Sequence, residues 1–294
     1  MTGSLLLQSL VLGVLLGGLY ALLAAGLTLY FGVMRVVMIA HSAFLILAAY
    51  LAWFFTRETG LDPLLSLVFT VPLFFAIGVV LQRLLIARLR PATLTMMSVL
   101  LTFSIAMVIE GTLGFLFTGT HRRVQLPYSG AHLEFFGASI AVVKLIAFGL
   151  AGLSLAALYV LLKVTRFGQA LRATMQHKEA AQLLGIKTDR VAGYGFGLGL
   201  ATAAIGGTAL ALDSTIYPSL HWHWIGPLMA IIVVGGLGSI PGAAIAAMAL
   251  GLGQSLLQVP LGTTWAQTFF YLALFATLMF RPQGFFGGRL AQRF

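Results

Sequence analysis

The chain has 294 residues, of which 60% are hydrophobic and only 8% are charged, and its mean hydropathy is +1.02. So little polar surface excludes a water-soluble globular protein. The formal net charge of +10 does not indicate nucleic-acid binding, because basic residues in a membrane protein collect in its cytoplasmic loops. The absence of Cys excludes disulfides and thiolate metal sites.

Long uncharged windows divide the chain into membrane-spanning segments. Residues 1–34, 36–56, 63–82 and 191–212 carry no charged side chain, and neither do the 67 residues 214–280. One crossing needs about 20 apolar residues, so the last window crosses more than once. The continuous runs are rich in Leu, Ala and Gly, which favours packed helices over the alternating strands of a barrel. We therefore predict an all-α polytopic transmembrane bundle.

The Lys and Arg residues predict the orientation of this bundle. They form three groups: Arg83, Arg88 and Arg90; Lys163, Arg166, Arg172, Lys178, Lys187 and Arg190; Arg281, Arg289 and Arg293. Placing these groups and Arg35 in the cytoplasm puts 13 of the 17 basic residues inside. We expect the N-terminus outside and the C-terminus in the cytoplasm.

This orientation predicts the path of the chain. The first five crossings are expected at residues 5–34, 36–55, 63–82, 91–119 and 135–162. Residues 121–134 form the longest external loop, and Lys144 can snorkel to the outer interface. A cytoplasmic loop, residues 163–190, precedes a crossing at 191–212. Gly and Pro residues then predict segments near 226–240, 241–259 and 264–280, giving eight or nine crossings within one domain, 1–294.

Two apolar stretches are interrupted, and interrupted helices commonly lie at transport pathways. They are "RVVMIAHSAF" (residues 35–44) and "GGLGSIPGA" (residues 235–243). The candidate pathway or hinge residues in them are Arg35, His41, Ser42, Gly235, Gly236 and Gly238. Glu110 joins this set because an ionisable residue inside a span is a functional candidate. Glu110 could alternatively make a structural hydrogen bond between helices, and His41 could serve packing.

Catalytic and metal-binding motifs are missing from the sequence. There is no G-x-x-x-x-G-K-[ST] phosphate loop and no H-E-x-x-H metal motif. "HWH" (residues 221–223) could share a metal on an extended segment, but without a third ligand an interfacial Trp/His belt fits better. Ile240 follows the serine of "GLGS", so it is not the G-x-S-G of an intramembrane serine protease. We expect no catalytic residue, no metal site and no cofactor in this chain.

The polar segment "KEAAQLLGIKTDR" (residues 178–190) predicts a short amphipathic helix in the central cytoplasmic loop. Its apolar residues Ala180, Ala181, Leu183 and Leu184 fall at helical spacing opposite Lys178, Glu179 and Gln182. Gly185 is a natural helix stop, and Thr188 or Asp189 can cap a helix beginning near Val191. Such a helix could lie in the lipid interface, but its alanines and its lack of an aromatic anchor favour docking on a cytoplasmic partner.

Four ordered motifs resemble the permease subunits of ATP-binding-cassette importers for branched-chain amino acids, the LivH-type family. They are "GLTLYFGVMRVVMIAHSAFLILAAY" (26–50), "TRFGQALRATMQHKEAAQLLGIKTDRV" (165–191), "VGGLGSIPGA" (234–243) and "FRPQGFFG" (280–287). The resemblance covers nearly the whole chain. The first signature usually has Asn-Phe where this chain has Met38-Ile39, and Gly-Glu where it has Ser42-Ala43. Pro227 stands where the family often has Lys.

This resemblance implies a type II-like importer permease of the bacterial inner membrane. The implied partners are a second permease subunit, two cytoplasmic ATPase subunits that hold ATP and Mg²⁺, and a periplasmic or lipid-anchored substrate-binding protein. It also implies that the coupling helix contains Glu179, Ala180, Ala181, Leu183, Leu184, Gly185, Asp189 and Arg190. The family includes permeases for urea, short amides and other amino acids, which leaves those substrates open.

Two functions from other classes remain as alternatives to an importer subunit. An ion-coupled secondary transporter would need its own carboxylate site, for which Glu110 and Asp213 are the candidates. A membrane enzyme would need a cluster of nucleophile, base or metal ligands, which the sequence lacks. We therefore predict a non-catalytic permease subunit.

Overall fold

In a computed structural model of this chain, the structure describes residues 3–89, 93–135 and 138–287. The basic residues Arg90, Arg289 and Arg293 of the predicted cytoplasmic groups lie outside this part of the chain. The helices are α1 (Gly3–Met34), α2 (Ala40–Thr59), α3 (Leu67–Leu84), α4 (Leu94–Phe117), α5 (Val142–Val164), α6 (Arg166–Gln176), α7 (Lys178–Leu183), α8 (Thr188–Asp213), α9 (His221–Gly235) and α10 (Ile240–Phe280). Strands β1 (His132–Phe135) and β2 (Ala138–Ala141) form an antiparallel hairpin. Short 3₁₀ turns occupy Pro63–Ser66, Ile86–Arg88 and Pro218–Leu220.

The predicted all-α polytopic bundle is confirmed. Seven of the described helices are long and apolar enough to cross a membrane. The longest, α10, has a non-helical residue at Gly262 (φ 83°, ψ 171°), where the chain turns back. Gly253 before this turn lies against Phe269 after it, so the two arms form a helical hairpin. With α10 counted as two arms, seven spans become eight, and the shorter helix α9 between α8 and α10 makes a ninth segment, within the predicted range.

The helices form a buried centre and an exposed periphery. The apolar windows of α1, α2 and α8 are 72%, 67% and 89% buried, whereas those of α3, α4 and α5 are 17–22% buried. Glycines allow close helix contacts in the centre: Gly17 of α1 meets Gly251 of α10, and Gly78 of α3 meets Gly197 of α8. A Cβ atom at any of these positions would collide with the facing backbone.

The β-hairpin corrects one predicted boundary. The fifth crossing was expected from residue 135, but Phe135 ends β1 and the helix α5 begins at Val142. The apolar run continues without a charge from β2 into α5, so hydropathy does not mark the change from strand to helix. A smaller correction applies to α8, which begins at Thr188 and not near Val191.

Basic residues gather at one end of the bundle, which we call the basic end. The described members are Arg35, Arg83, Arg88, Lys163, Arg166, Arg172, Lys178, Lys187, Arg190 and Arg281. Contacts between segments that are far apart in the sequence place these positions at the same end of the bundle. Gly32 near the end of α1 lies against Met175 and Gly238, and the Phe285 N–H donates to the Val234 carbonyl. The opposite end carries Arg57, Glu58, Asp62, Arg122, Arg123 and Glu134, and Lys144 and Asp213 pair there.

Candidate functional site

The loop between α5 and α8 folds into two helices at the basic end. Helix α6 begins after Thr165, whose hydroxyl accepts the N–H of Gly168. Leu171 of α6 is fully buried against Val33 and Gly195 of the bundle. The basic stretch 165–174 therefore packs on the protein along one face, which a helix held only by lipid would not do.

Helix α7 is the short helix predicted within residues 178–190. Nδ1 of His177 accepts the N–H of Ala180 at its start. At its end, Gly185 adopts φ 80°, and the Ile186 N–H bonds back to the Ala181 carbonyl. This is a Schellman-type stop, because a left-handed residue follows the last turn. The Lys178 Nζ atom lies 3.6 Å from Asp189 Oδ1, which joins α7 to the first turn of α8.

The apolar side chains of this segment divide between two directions. Leu183 and Leu184 are 90% and 80% exposed, and Glu179 and Ala180 are also exposed. Ala181 is only 2% exposed and packs toward the bundle. The prediction that all four apolar residues share one outward face is therefore wrong. A helix that is braced against its own protein must turn part of that face inward, and the two leucines remain for an outside contact.

A notch opens beside α7, between the end of α3 and the start of α8. It encloses a cavity of about 360 Å³ lined by Gln82, Arg83, Ala87, Asp189, Arg190 and Tyr194. Gln82 is 3% exposed, and its Oε1 atom lacks a hydrogen-bond partner among the described residues. A buried acceptor without a donor is unfavourable. Arg83 and Arg190, together with Asp189, form the rim that the notch offers to an outside molecule. Gln82 Oε1 is buried beside Gly193 of α8 and is not part of that rim.

The chain breaks between α1 and α2 at the first interrupted stretch. Arg35 is exposed and takes a left-handed φ of 54°, which is strained for a non-glycine residue. Residues 36–38 are irregular, and α2 begins only at Ala40. Thr102 of α4 holds this segment: its hydroxyl donates to the Val37 carbonyl at 3.2 Å and accepts the Ile39 N–H at 3.3 Å.

His41 lies in the first turn of α2 and is fully buried. Its Nε2 atom is 3.0 Å from the Leu23 carbonyl oxygen, and its Nδ1 is 3.3 Å from the Tyr30 hydroxyl. A carbonyl only accepts, so Nε2 carries the proton and Nδ1 accepts from Tyr30. Both ring nitrogens are thus satisfied by α1. Ser42 is also buried, and its hydroxyl donates to the Ile39 carbonyl at 3.2 Å.

A narrow gap separates this break from α9. It is too narrow to admit a water molecule, and it is lined by Leu27, Met38, Ile39, His41, Ser42, Ile225, Leu228 and Met229. The structure therefore brings His41 and Ser42 together with α9, while Arg35 lies farther along at the basic end. The polar atoms of both residues are bonded within the chain, so the gap itself is lined mainly by apolar groups.

Glu110 meets the start of α9. It lies in α4, about 10 Å before the last residue of that helix. Its Oε2 atom accepts the indole N–H of Trp222 at 3.2 Å and lies 3.7 Å from Nε2 of His221. His221 is fully buried, and its Nδ1 lies 3.2 Å from the Pro218 carbonyl oxygen. Glu110 therefore makes a helix–helix contact, one of its two predicted roles.

The structure revises the predicted Trp/His belt. Trp222 is 43% exposed, as an interfacial aromatic residue would be, and His223 is exposed as well. His221 instead points inward to Glu110. Neighbouring positions on a helix face different directions, so the two histidines diverge. Within the described ranges, no group of three or more His, Cys, Asp or Glu side chains could hold a metal ion.

Lys144 also differs from its prediction. Its Nζ atom lies 2.6 Å from Asp213 Oδ2, in an ion pair between α5 and α8. It does not need to snorkel, because it has a partner within the protein. The sequence could have suggested this pair, because both residues fall near the predicted outer ends of spans.

The second interrupted stretch is a turn between antiparallel helices. Helix α9 ends at Gly235, and α10 begins at Ile240 after Ser239, whose hydroxyl accepts the Gly242 N–H. Gly236 has φ 96° and Gly238 has φ 84°. At Gly236 a side chain would be strained and would also collide with the backbone of Gly287. The described C-terminal segment therefore closes over this turn.

Comparison with known proteins decides the family. The family model for the permease component of branched-chain amino acid transport systems matches residues 9–279. The chain belongs to this family. It is accordingly a transport permease component and a multi-pass membrane protein, as the apolar helices also indicate.

Relatives align over nearly the full length. The chain is 29% identical over 296 residues to the high-affinity branched-chain amino acid transport system permease protein LivH of Escherichia coli strain K12, covering 96% of this chain and 95% of that protein. It is 27% identical over 288 residues to a probable LivH permease of Methanocaldococcus jannaschii, with 93% and 90% covered. It is 24% identical over 294 residues to BraD of Pseudomonas aeruginosa, with 96% and 95% covered. No solved structure matches this chain.

Proposed function

We propose that this chain is the membrane subunit of an ATP-binding-cassette importer that carries branched-chain or related amino acids into the cell. The observation that carries this proposal is the pair of exposed leucines on α7. Leu183 and Leu184 project from a braced helix at the basic end of a protein that belongs to a transport permease family. ATP and Mg²⁺ would be held by partner subunits, because the chain has no phosphate loop.

Leu183 and Leu184 are the proposed contacts with the ATPase subunit. Two large apolar side chains left 80–90% exposed beside several charges mark a protein-interaction site. Glu179, Ala180, Asp189 and Arg190 surround them and would form the rim of the contact. The notch lined by Arg83 and Arg190 adjoins this surface and would be covered by the same partner.

The orientation of the chain is part of the proposal. The basic end would face the cytoplasm, because positively charged segments are retained there. The N-terminus would then lie on the outer side of a bacterial inner membrane, and the C-terminal segment would lie on its cytoplasmic side. A periplasmic or lipid-anchored binding protein would deliver substrate to the opposite end, where β1, β2 and the loop before them project.

A second permease subunit, a copy or a paralogue, would complete the pathway. Trp222 and His223 are exposed, Gln267 is half-buried 3.4 Å from the His223 ring, and all three are polar at their tips. Such groups are unfavourable against lipid tails, which supports their facing a water-filled space or another protein. The gap between α9 and the break before α2 lies next along α9, so a pathway would continue along this helix toward the basic end.

Reconstituted transport tests the proposal. The full complex, with ATPase subunits and binding protein, is placed in proteoliposomes and given radiolabelled L-leucine outside and MgATP inside. We expect uptake that requires ATP and persists when sodium and proton gradients are collapsed with ionophores. Uptake driven by an ion gradient without ATP would identify a secondary transporter instead. Uptake of urea or acetamide but not of leucine would assign the chain to the other substrates of its family.

A further inference from the structure

Glu110 has an unused carboxylate oxygen on the side of the bundle where the pathway is proposed. Both of its contacts, with Trp222 and with His221, fall on Oε2. Oε1 accepts no hydrogen bond from the described residues. The Glu110 side chain is 24% exposed, and Oε1 is not among the buried atoms without a partner, so this oxygen reaches the surface of the described chain.

The surroundings of Glu110 fix the position of its Oε2 atom and favour a negative charge there. The indole N–H of Trp222 can only donate, and so can the first backbone N–H groups of α9, which point toward this end of the helix. The positive end of the helix dipole stabilises a carboxylate there. The hydrogen bond from Trp222 restrains the carboxylate, and the His221 ring, which is held by the Pro218 carbonyl, packs beside it.

An aromatic surface lies beside this open oxygen. The Trp222 ring is 43% exposed and packs on Phe103 with a centroid distance of 5.9 Å. An aromatic face and a carboxylate together favour an organic cation, because the ring attracts the charge and the oxygen accepts its N–H groups. Among the described residues no Lys or Arg forms an ion pair with Glu110, and the His221 imidazole lies 3.7 Å from Oε2, not from Oε1.

We infer that Glu110 Oε1 and the exposed face of Trp222 bind the ammonium group of the transported amino acid in the outer half of the pathway. This inference rests on the proposed function, because it assumes that the exposed side of α4 and α9 faces the substrate. It also selects among the substrates of the family: urea and short amides lack an ammonium group and would gain nothing from this site.

Binding of a simple amine to the purified permease tests the site without the binding protein. Isoamylamine is titrated while tryptophan emission is recorded, with potassium chloride at matched ionic strength as the reference. We expect a saturable change in emission that Trp222→Phe removes. Glu110→Gln should weaken the apparent affinity about tenfold or more, because a charge-assisted hydrogen bond is lost. Glu58→Gln removes an exposed carboxylate that already pairs with Arg57, and it should change nothing.

Three results would overturn the inference. They are an equal response to isoamyl alcohol, a response to potassium chloride alone, and an unchanged affinity in Glu110→Gln. The comparison of amine with alcohol uses the unaltered protein, so it decides the question even if Glu110→Gln does not fold. Amine binding in a chain that shows no ATP-driven leucine uptake would leave this site standing and reject the proposed function.

Discussion

Lys144 and Asp213 form an ion pair of 2.6 Å that joins the peripheral helix α5 to the buried helix α8. Their side chains are 38% and 26% exposed, so the pair is neither fully hydrated nor fully buried. Both partners of the pair are occupied with each other, which removes Asp213 as a free carboxylate for ion coupling.

Removing one partner of this ion pair should destabilise the protein, whereas removing both should recover part of the stability and leave transport intact. Lys144→Met leaves Asp213 without its partner and should lower the free energy of unfolding by about 1–2 kcal/mol, between the effects of exposed and buried pairs. The double variant Lys144→Met with Asp213→Leu should recover part of that loss. Thermal unfolding in detergent measures both. ATP-driven uptake should survive in the double variant, and its loss would restore Asp213 as a transport residue.

An aspartate in place of an exposed leucine should prevent assembly with the ATPase subunits without affecting the folding of the permease. Leu183→Asp should abolish capture of the ATPase subunits in a pull-down and reduce uptake at least tenfold, because an apolar contact is lost and a charge is buried. The melting temperature of the isolated permease should not change, because Leu183 is 90% exposed.

Two further variants control this experiment. Leu133→Asp places the same charge on an exposed leucine of β1, at the opposite end, and should leave capture intact. Ala181→Asp should instead unfold or destabilise the permease, because Ala181 is 2% exposed. Normal capture and uptake by Leu183→Asp would show that α7 does not dock on the ATPase.

Gly236→Ala should be strongly destabilising. Its φ of 96° is unfavourable for alanine, and the new methyl group would overlap the backbone of Gly287. We expect a loss of about 1–3 kcal/mol or more in the free energy of unfolding. Gly111→Ala, on the exposed face of α4 where nothing lies within 4 Å, should be neutral or slightly stabilising. Equal effects of Gly236→Ala and Gly111→Ala on the free energy of unfolding would contradict the close approach of Gly236 and Gly287 in this turn.

The fold should lose stability in strong alkali because of Tyr128. Its hydroxyl donates to Asp62 Oδ2, and burial together with this hydrogen bond and the charge of Asp62 raises the pKa of Tyr128 above its usual value of 10. Below pH 10 the Tyr128 phenol is neutral in both the folded and the unfolded protein, so its hydrogen bond with Asp62 contributes fully to stability. Above pH 10 the Tyr128 phenol loses its proton in the unfolded chain before it does so in the folded protein, so the free energy of unfolding falls as the pH rises.

Two variants isolate that effect. Tyr128→Phe should make the free energy of unfolding less dependent on pH above 10. Asp62→Asn should act in the same direction, because it removes the charge while an amide oxygen can still accept the Leu64 N–H. Denaturant unfolding at pH 8 and pH 11 measures the dependence. An identical pH dependence in all three proteins would rule out the Asp62–Tyr128 contact as its source.

Local patterns predicted much of this fold because membrane helices are specified by continuous apolar runs. The runs around α1, α3 and α8, the stop at Gly185 and the break after Arg35 all follow from neighbouring residues. The β-hairpin escaped prediction because its second strand is as apolar as the helix that follows.

Pairings between distant segments were not predictable from such patterns. Lys144 and Asp213 are 69 positions apart, and Trp222 lies 112 positions from Glu110. Hydropathy identifies each of these residues as unusual within its helix but does not indicate a partner. Ala181 is a similar case within a single helix. Its place in a helix was predicted, but the direction of its side chain was not, because that depends on how α6 and α7 pack.

The burial of α8 has a consequence for biosynthesis. This helix fills the space between α1, α2 and α3, yet its residues are synthesised only after those of α3, α4 and α5. Until then the glycine and polar faces of the earlier helices have nothing to pack against. The first half of the chain must therefore wait in the bilayer as a loose assembly, and a ribosome that stalls before residue 188 would leave a product without a core.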